Sequence, residues 1–198
     1  YAAQPGDFDE LIRIDADLYV VRDLYGNKRF YAGYFAPWRS DQPLDAGKLI
    51  RRVDRNGNAV TYAYDSHGRL VRVTDSSGHA MRLRHDEDGF ISEMEDWTGR
   101  RWTYEYDEAE NLVGVSYPNG ANSRYGYDEK HRMTSLTDLL GTTYHYEYDD
   151  QDRAVALIDG GGHHVRFVYE TELGRTTIID QLGDRRVFTY DERGNVLS

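Results

Sequence analysis

The sequence predicts an all-β chain: a repetitive antiparallel meander of β-hairpins, built on a 21-residue unit and curling into a strip or shell segment. Three observations predict it. Tyr64, Tyr106, Tyr127, Tyr148, Tyr169 and Tyr190, each followed by Asp or Glu, stand in one column at multiples of 21 residues, with His85 in the place of the missing member. Gly57, Gly78, Gly99, Gly120, Gly141, Gly162 and Gly183 form a second column with the same step of 21. Between the columns, apolar and polar side chains alternate with period two, the mark of a half-buried strand. A fixed period of this size marks a repeat architecture.

Taken in order, residues 1–10 read as a leader. Two short strands follow, Leu11–Ile14 and Leu18–Val21, and then Asp23-Leu24-Tyr25-Gly26, a turn of the kind that recurs downstream. Ala36-Pro37-Trp38-Arg39-Ser40-Asp41-Gln42-Pro43 reads as a loop, because its prolines cannot sit inside a central strand. Two domains are therefore expected. Residues 1–46 form an N-terminal β segment with a Pro-containing loop, and residues 47–198 carry seven in-phase repeats, the last truncated at Asn195-Val196-Leu197-Ser198. That truncation suggests a piece of a longer protein.

Each repeat holds two turns. Three residues before the column glycines stand Asp54, Asp75, Asp96, Asp138, Asp159 and Asp180, with Tyr117 the exception. Asp-x-x-Gly suits a type I turn, with the carboxylate accepting a local N–H and Gly following at the fourth place. The Tyr-Asp stretches carry a similar turn, as in Asp65-Ser66-His67-Gly68, and Glu110 reads as an ordinary surface position in one of them. Roughly ten residues between turns leave room for a strand of about six.

The strand after each Asp-x-x-Gly turn is the cleaner one. Five residues past the glycine stand Tyr62, Leu83, Tyr104, Tyr125, Tyr146, Phe167 and Phe188, on the face that the YD tyrosines share. Ten of the 17 tyrosines fall in these two columns, which makes one face aromatic. In the other strand, Val73, Met94, Val115, Leu136, Leu157 and Ile178 form one apolar column, and Leu70, Ile91, Leu112, Met133, Ala154 and Val196 form another three residues earlier in the repeat, where the Tyr169 repeat has Arg175. A spacing of three leaves one face of a flat strand, so a bulge or strong twist near the YD turn is expected. The repeat at Tyr169 has Gly174 one place late yet regains phase at Asp180, which predicts a locally distorted turn.

Composition bounds the function. With 24 Lys plus Arg against 35 Asp plus Glu, the net charge is −11, which opposes binding to nucleic acid or anionic lipid. Cysteine is absent, so there is neither a disulfide framework nor a thiolate metal site. No apolar run reaches the ~18 residues of a membrane helix. Asp86-Glu87-Asp88-Gly89 and Asp149-Asp150-Gln151-Asp152 have the composition of calcium ligands but lack the closing Glu of the EF-hand loop; solvated turn residues are the preferred reading. His79, His163 and His164 are too scattered to share a metal. Gly114-Val115-Ser116-Tyr117-Pro118 lacks the second glycine of a nucleophile elbow. No enzyme, cofactor or metal site is expected. The tyrosines allow cross-strand packing, the preferred reading, or stacking on sugars or single-stranded nucleic acid. The column glycines and the YD tyrosines are thus the candidate structural positions.

Tyr-Asp-x-x-Gly-Arg-Leu at Tyr64–Leu70, and Asp-x-x-Gly followed by six residues and Tyr-Asp at Asp96–Asp107, resemble the RHS/YD repeat family. That family includes RHS polymorphic toxins, shell components of Tc toxins and the teneurin YD shell. The resemblance covers about residues 47–198 and reaches back to 18–34. It implies a β-strip wound into a hollow shell around a C-terminal toxin, with the rest of that shell, the toxin cargo and secretion-machinery proteins (type VI among them) as partners. It also implies a bacterial parent that is secreted or on the cell surface. The family's releasing motif contains Asp-Pro, and no Asp-Pro occurs here. The alternative is an extracellular glycan-binding or adhesion module, against which Trp38, Trp97 and Trp102 are not periodic. Self-association through terminal strand edges or the aromatic face is expected as well.

Overall fold

The computed structural model describes residues 9–15, 17–33, 46–191 and 193–197. The first eight residues of the leader, the loop at 36–43 and Ser198 lie outside the described residues. The chain divides into two compact units, 1–102 and 103–198.

The first unit holds β1 (Glu10–Arg13), β2 (Leu18–Arg22), β3 (Lys28–Ala32), β4 (Leu49–Val53), β5 (Ala59–Tyr64), β6 (Leu70–Asp75), β7 (Ala80–His85) and β8 (Ile91–Glu95). The division falls within β9 (Arg101–Tyr106). The second unit continues with β10 (Leu112–Ser116), β11 (Asn122–Tyr127), β12 (Met133–Thr137), β13 (Thr143–Tyr148), β14 (Ala154–Ile158), β15 (His164–Glu170), β16 (Arg175–Ile179) and β17 (Arg185–Thr189). Within each unit the strands pair antiparallel with their sequence neighbours. The protein is an all-β hairpin meander, and its helix among the described residues is one 3-10 turn, Thr171–Leu173.

The turns explain the period. In the Asp-x-x-Gly hairpins the Asp N–H donates to the carbonyl four residues on, and the glycine N–H donates back to the Asp carbonyl, as at Asp96–Arg100 (3.0 Å) and Gly99–Asp96 (3.0 Å). This is a three-residue loop, a type I turn closed by a left-handed residue. Gly99 has φ +85°, and a Cβ built there meets nothing within 4 Å, so glycine is required by torsion and not by crowding. The YD turns have the same hydrogen bonds, yet three of them place Glu110 (φ 67°), His131 (φ 60°) and Asp152 (φ 62°) at the left-handed position. Glu110 is therefore not the ordinary surface residue that its sequence context suggests.

The expected bulges are present. Pairing slips by one residue at Ala63/Tyr64, Arg84/His85, Leu112/Gly114, Gly126/Tyr127 and Glu147/Tyr148, each beside a YD turn. The hairpin at Tyr169 is the exception. Its strands pair without a slip, and the turn between Glu170 and Arg175 is one residue longer, with a 3-10 turn and Gly174 at φ 55°. The residue absorbed elsewhere by a bulge is absorbed here by the loop, which is why phase returns at Asp180.

The core is thin. Buried apolar residues among those described are small or β-branched, Val20, Ala32, Ala80, Val115 and Ala156, and no large side chain is fully buried. In the second unit one face carries Tyr104 opposite Val115, Tyr125 opposite Leu136, and Tyr146 opposite Leu157, all half-buried except the buried Val115. The other face carries the Glu105–Arg124 ion pair lying over Gly114, whose absent side chain leaves room for it.

Two substitutions separate the torsional argument from packing. Gly99→Val should lower stability by about 1–2 kcal/mol, the cost of a left-handed L-residue. Glu110→Gly should raise stability by roughly 0.5–1 kcal/mol, the same relief less the greater unfolded-state entropy of glycine. Denaturant midpoints that move the same way for both variants would refute it.

Candidate functional site

The residues that the sequence singles out meet at the turns. At Asp149, Oδ1 accepts the backbone N–H groups of Gln151 (2.9 Å) and Arg153 (3.0 Å), and Oδ2 accepts Arg153 Nε (2.8 Å). Asp65 with Arg69 and Asp128 with Arg132 repeat this. In other turns the residue four places on is Asn or His: Asp23 with Asn27, Asp54 with Asn58, Asp107 with Asn111, Asp75 with His79, and Asp159 with His163. That fourth residue escapes a reading based on the Asp and Gly columns alone. Its signal was available, since Asn, Arg or His follows the left-handed position in most turns.

These contacts fix the charge on the carboxylates. At Asp54, Asp107, Asp149, Asp159 and Asp191 the side-chain hydrogen bond from the residue four on is the main cause, and it holds the carboxyl below its ordinary range. Asp65 is depressed furthest, chiefly by the Arg69 N–H. Asp96 is buried, at 6% exposure. Burial pushes its carboxyl up, but hydrogen bonds from Thr98 and Arg100 outweigh that and bring it down to about 2.

The YD tyrosines connect one repeat to the next. The hydroxyls of Tyr64, Tyr148 and Tyr169 donate to the carbonyls of Leu49, Met133 and Ala154 at 2.7–2.8 Å. Lys48, Arg132 and Arg153 lie over the same three rings, 4.5–5.0 Å from their centroids. Arg132 thus bonds its own Asp128, covers Tyr148 of the next repeat, and reaches Asp152 Oδ1 (2.7 Å) and the carbonyl of Asp149 (3.3 Å). Arg69 likewise reaches the carbonyl of Asp86 (3.3 Å). Where Asn111 replaces the arginine, His131 Nδ1 bonds its Oδ1 at 2.8 Å. Tyr127 sits where burial, then Tyr125 and Asp107, push its phenol up. The backbone N–H of Tyr190 donates to Gly174 (2.8 Å), and Tyr190 bridges to Val196. Tyr106 is half-buried at the end of β9. The column glycines Gly57, Gly78, Gly120, Gly141, Gly162 and Gly183 share the left-handed conformation of Gly99, with φ between 80° and 89°.

Among the described residues no three His, Asp or Glu side chains are grouped to hold a metal ion. Asp86 Oδ1 accepts the N–H groups of Gly89 and Phe90, so it closes its own turn. His79 stacks at 5.1 Å on Trp97, and His163 bonds Asp159. Ser116 lies within β10, not on a strand-to-helix elbow. No helix among the described residues is long and apolar enough to cross a membrane.

The family model described as RHS Repeat matches residues 45–80, 85–121, 111–143 and 127–164, more than half of the chain. The chain belongs to the RHS repeat family. No curated protein sequence matches it. Its RHS fold is similar to that of the TcdB2-TccC3-Cdc42 crystal structure, at 13% identity and a TM-score of 0.57 over 92% of this chain and 12% of that one. It is similar too to TcdB2-TccC3 without its hypervariable C-terminal region, at 14% identity and TM-score 0.57 over 91% and 12%. The Photorhabdus luminescens Tc holotoxin pore gives 15% identity and TM-score 0.55 over 88% and 12%. The chain therefore spans about an eighth of the length of these proteins, and at such identity the likeness is one of fold.

Two outcomes follow for the RHS turns. Because the depressed carboxylates release protons on folding, stability rises with pH, is fully present above the unfolded value of about 3.9, and falls as pH drops from there toward about 2. A melting temperature that holds or climbs between pH 5 and pH 2.5 would contradict this. Tyr148→Phe removes one hydroxyl that donates to a carbonyl, and should cost about 0.5–1.5 kcal/mol in urea unfolding; a variant as stable as the parent would show that this bond contributes nothing.

Proposed function

We propose that this chain is a wall segment of an RHS-type shell in a secreted or surface-exposed bacterial toxin. Its partners are the remainder of the shell, an enclosed C-terminal toxin polypeptide and the secretion proteins that export them, type VI components among these. The observation that carries the reading is the joining of consecutive repeats through arginine, tyrosine and backbone carbonyls at the YD turns. A wall needs cohesion along the strip and no chemistry of its own. The role is non-enzymatic and calls for no cofactor. The Gly57–Gly183 column and the tyrosines at 64, 106, 127, 148, 169 and 190 set the turns and join the repeats. Residues 47–198 are the wall proper, and 1–46 precede it.

A second reading, an extracellular glycan-binding or adhesion module, is favoured by one observation: Trp97 stands 58% exposed at a turn tip, against His79. Against it, three of the YD tyrosines already spend their hydroxyls on the sheet's own carbonyls.

Protease protection tests the wall reading. In the full-length protein that carries this chain, a polypeptide C-terminal to the repeats should survive added protease. Deleting one or more 21-residue repeats should make it cleavable. Equal digestion with and without the deletion refutes encapsulation, and micromolar binding to a glycan array would favour the second reading. Duplex DNA should not bind at physiological salt, given the net charge of −11.

A further inference from the structure

We infer that the charged face of residues 49–102 is a docking surface for a short acidic polypeptide segment in extended conformation, whose carboxylates meet a strip of arginines. Pairing register sets the strip. Arg51 stands opposite Thr61, Thr61 opposite Thr74, Ala63 opposite Arg72, and Arg72 opposite Arg82. Arg82 and Arg84 then stand opposite Glu95 and Glu93. Arg101 joins them through ion pairs to Glu95 (2.8 Å) and Glu93 (4.0 Å). Between the turns, this face thus sets five arginines against two glutamates, a local surplus of positive charge in a chain whose net charge is −11.

The two signs lie at different depths. The side chains of Glu93 and Glu95 are less than a fifth exposed, whereas those of Arg82, Arg84 and Arg101 are more than half exposed. The surface that a partner meets is therefore guanidinium. Arg51 and Arg72 are exposed as well. Arg51 lies over the Phe30 ring and Arg72 bonds Thr74 Oγ1 (3.2 Å), and neither has a carboxylate partner among the described residues. Arg72 and Arg82 are like charges directly opposite each other on β6 and β7, an arrangement that weakens a sheet. An anion held between them removes that repulsion, and the planar fork of arginine matches a carboxylate with two parallel hydrogen bonds.

The spacing fits a polypeptide. Arg82 and Arg84 lie two residues apart on one strand, about 6.6 Å, which is also the step between side chains on one side of an extended chain. A segment that alternates acidic and neutral residues sets its carboxylates in register with this pair, with Arg72 beside them. Nucleic acid fits less well. Asp54, Asp75 and Asp96 bound the strip at one row of turns, and Asp65, Asp86 and Asp88 at the other. With strands of six residues the two rows stand about 20 Å apart. A duplex laid on the strip sets phosphates against those carboxylates, whereas a single extended segment fits between them.

Fluorescence anisotropy of the 198-residue chain with a short labelled peptide of alternating Glu and Thr tests it. Saturable binding that weakens as salt is raised is expected. Arg82→Gln combined with Arg84→Gln should weaken binding about tenfold or more, through loss of charge-assisted hydrogen bonds. Arg166→Gln combined with Arg186→Gln, an equal loss of charge elsewhere on the sheet, should leave it unchanged. Glu95→Gln frees Arg82 and Arg101 from their ion pairs and should tighten binding severalfold, a gain that misfolding cannot produce. Circular dichroism checks that each variant is folded. Absence of binding overturns the inference, as does equal weakening by the two pairs of substitutions, because the peptide then reads net charge alone. Duplex DNA bound more tightly than the peptide also overturns it, and assigns the strip to phosphate.

Discussion

A single aspartate carboxylate holds most turns, those at Tyr117 and after Tyr169 excepted, and the sheet depends on it. The aspartate at the start of the loop receives two backbone N–H groups and, in most turns, the side chain four residues on. One short side chain thereby satisfies the loop's polar backbone. In an ordinary domain a poor turn is tolerated because core burial dominates. Here no large side chain is fully buried among the described residues, so turn geometry and cross-strand pairs supply what a core would. The strongest depressions lie at Asp65 and Asp96, where the arginine four places on adds its guanidinium to the backbone donors.

The YD turns couple consecutive repeats through arginine, whereas Asp-x-x-Gly turns meet through the His79–Trp97 ring contact and the Arg55 N–H donated to Asn27 Oδ1. Arg132 serves its own turn and the following one at the same time, and Tyr148 answers by bonding the carbonyl just past that arginine. Repeats joined in this manner gain stability from each neighbour, as expected of a quasi-one-dimensional array. The two hairpin edges consequently differ. One is lined by charged YD turns. At the other, Leu140 stands 91% exposed at its turn tip, with Leu182 at another.

Much of this was legible in the residues themselves. The repeat, both turns, the strand after each glycine and the bulge beside the YD turn all follow from column spacing, because turn chemistry and period-two alternation are local. The distorted turn at Tyr169 was legible from its late Gly174. The role of the residue four after each aspartate was not, since Asn, Arg and His look unrelated until a shared carboxylate unites them. Nor was the left-handed backbone at Glu110, His131 and Asp152: the turn there is fixed by the aspartate before it, and the side chains carry no trace of the torsion. The reach of Arg132 into the next repeat is a contact across about twenty residues, which no local pattern reveals.

The bulges have a consequence for how such an array can change. Two three-residue loops joined by regular strands would give an even period, because residues facing each other across an odd loop share the same parity. One bulge, or the longer loop at Tyr169, switches parity once per repeat, and the period becomes odd. A 21-residue duplication or deletion therefore returns each ring to the face it left. A lone inserted or deleted residue would invert every side chain between itself and the next compensation. The array can lengthen or shorten freely in whole units, but within a unit a gain at one turn must be matched by a loss in the adjoining strand, and the exchange at Tyr169 is one such matched pair.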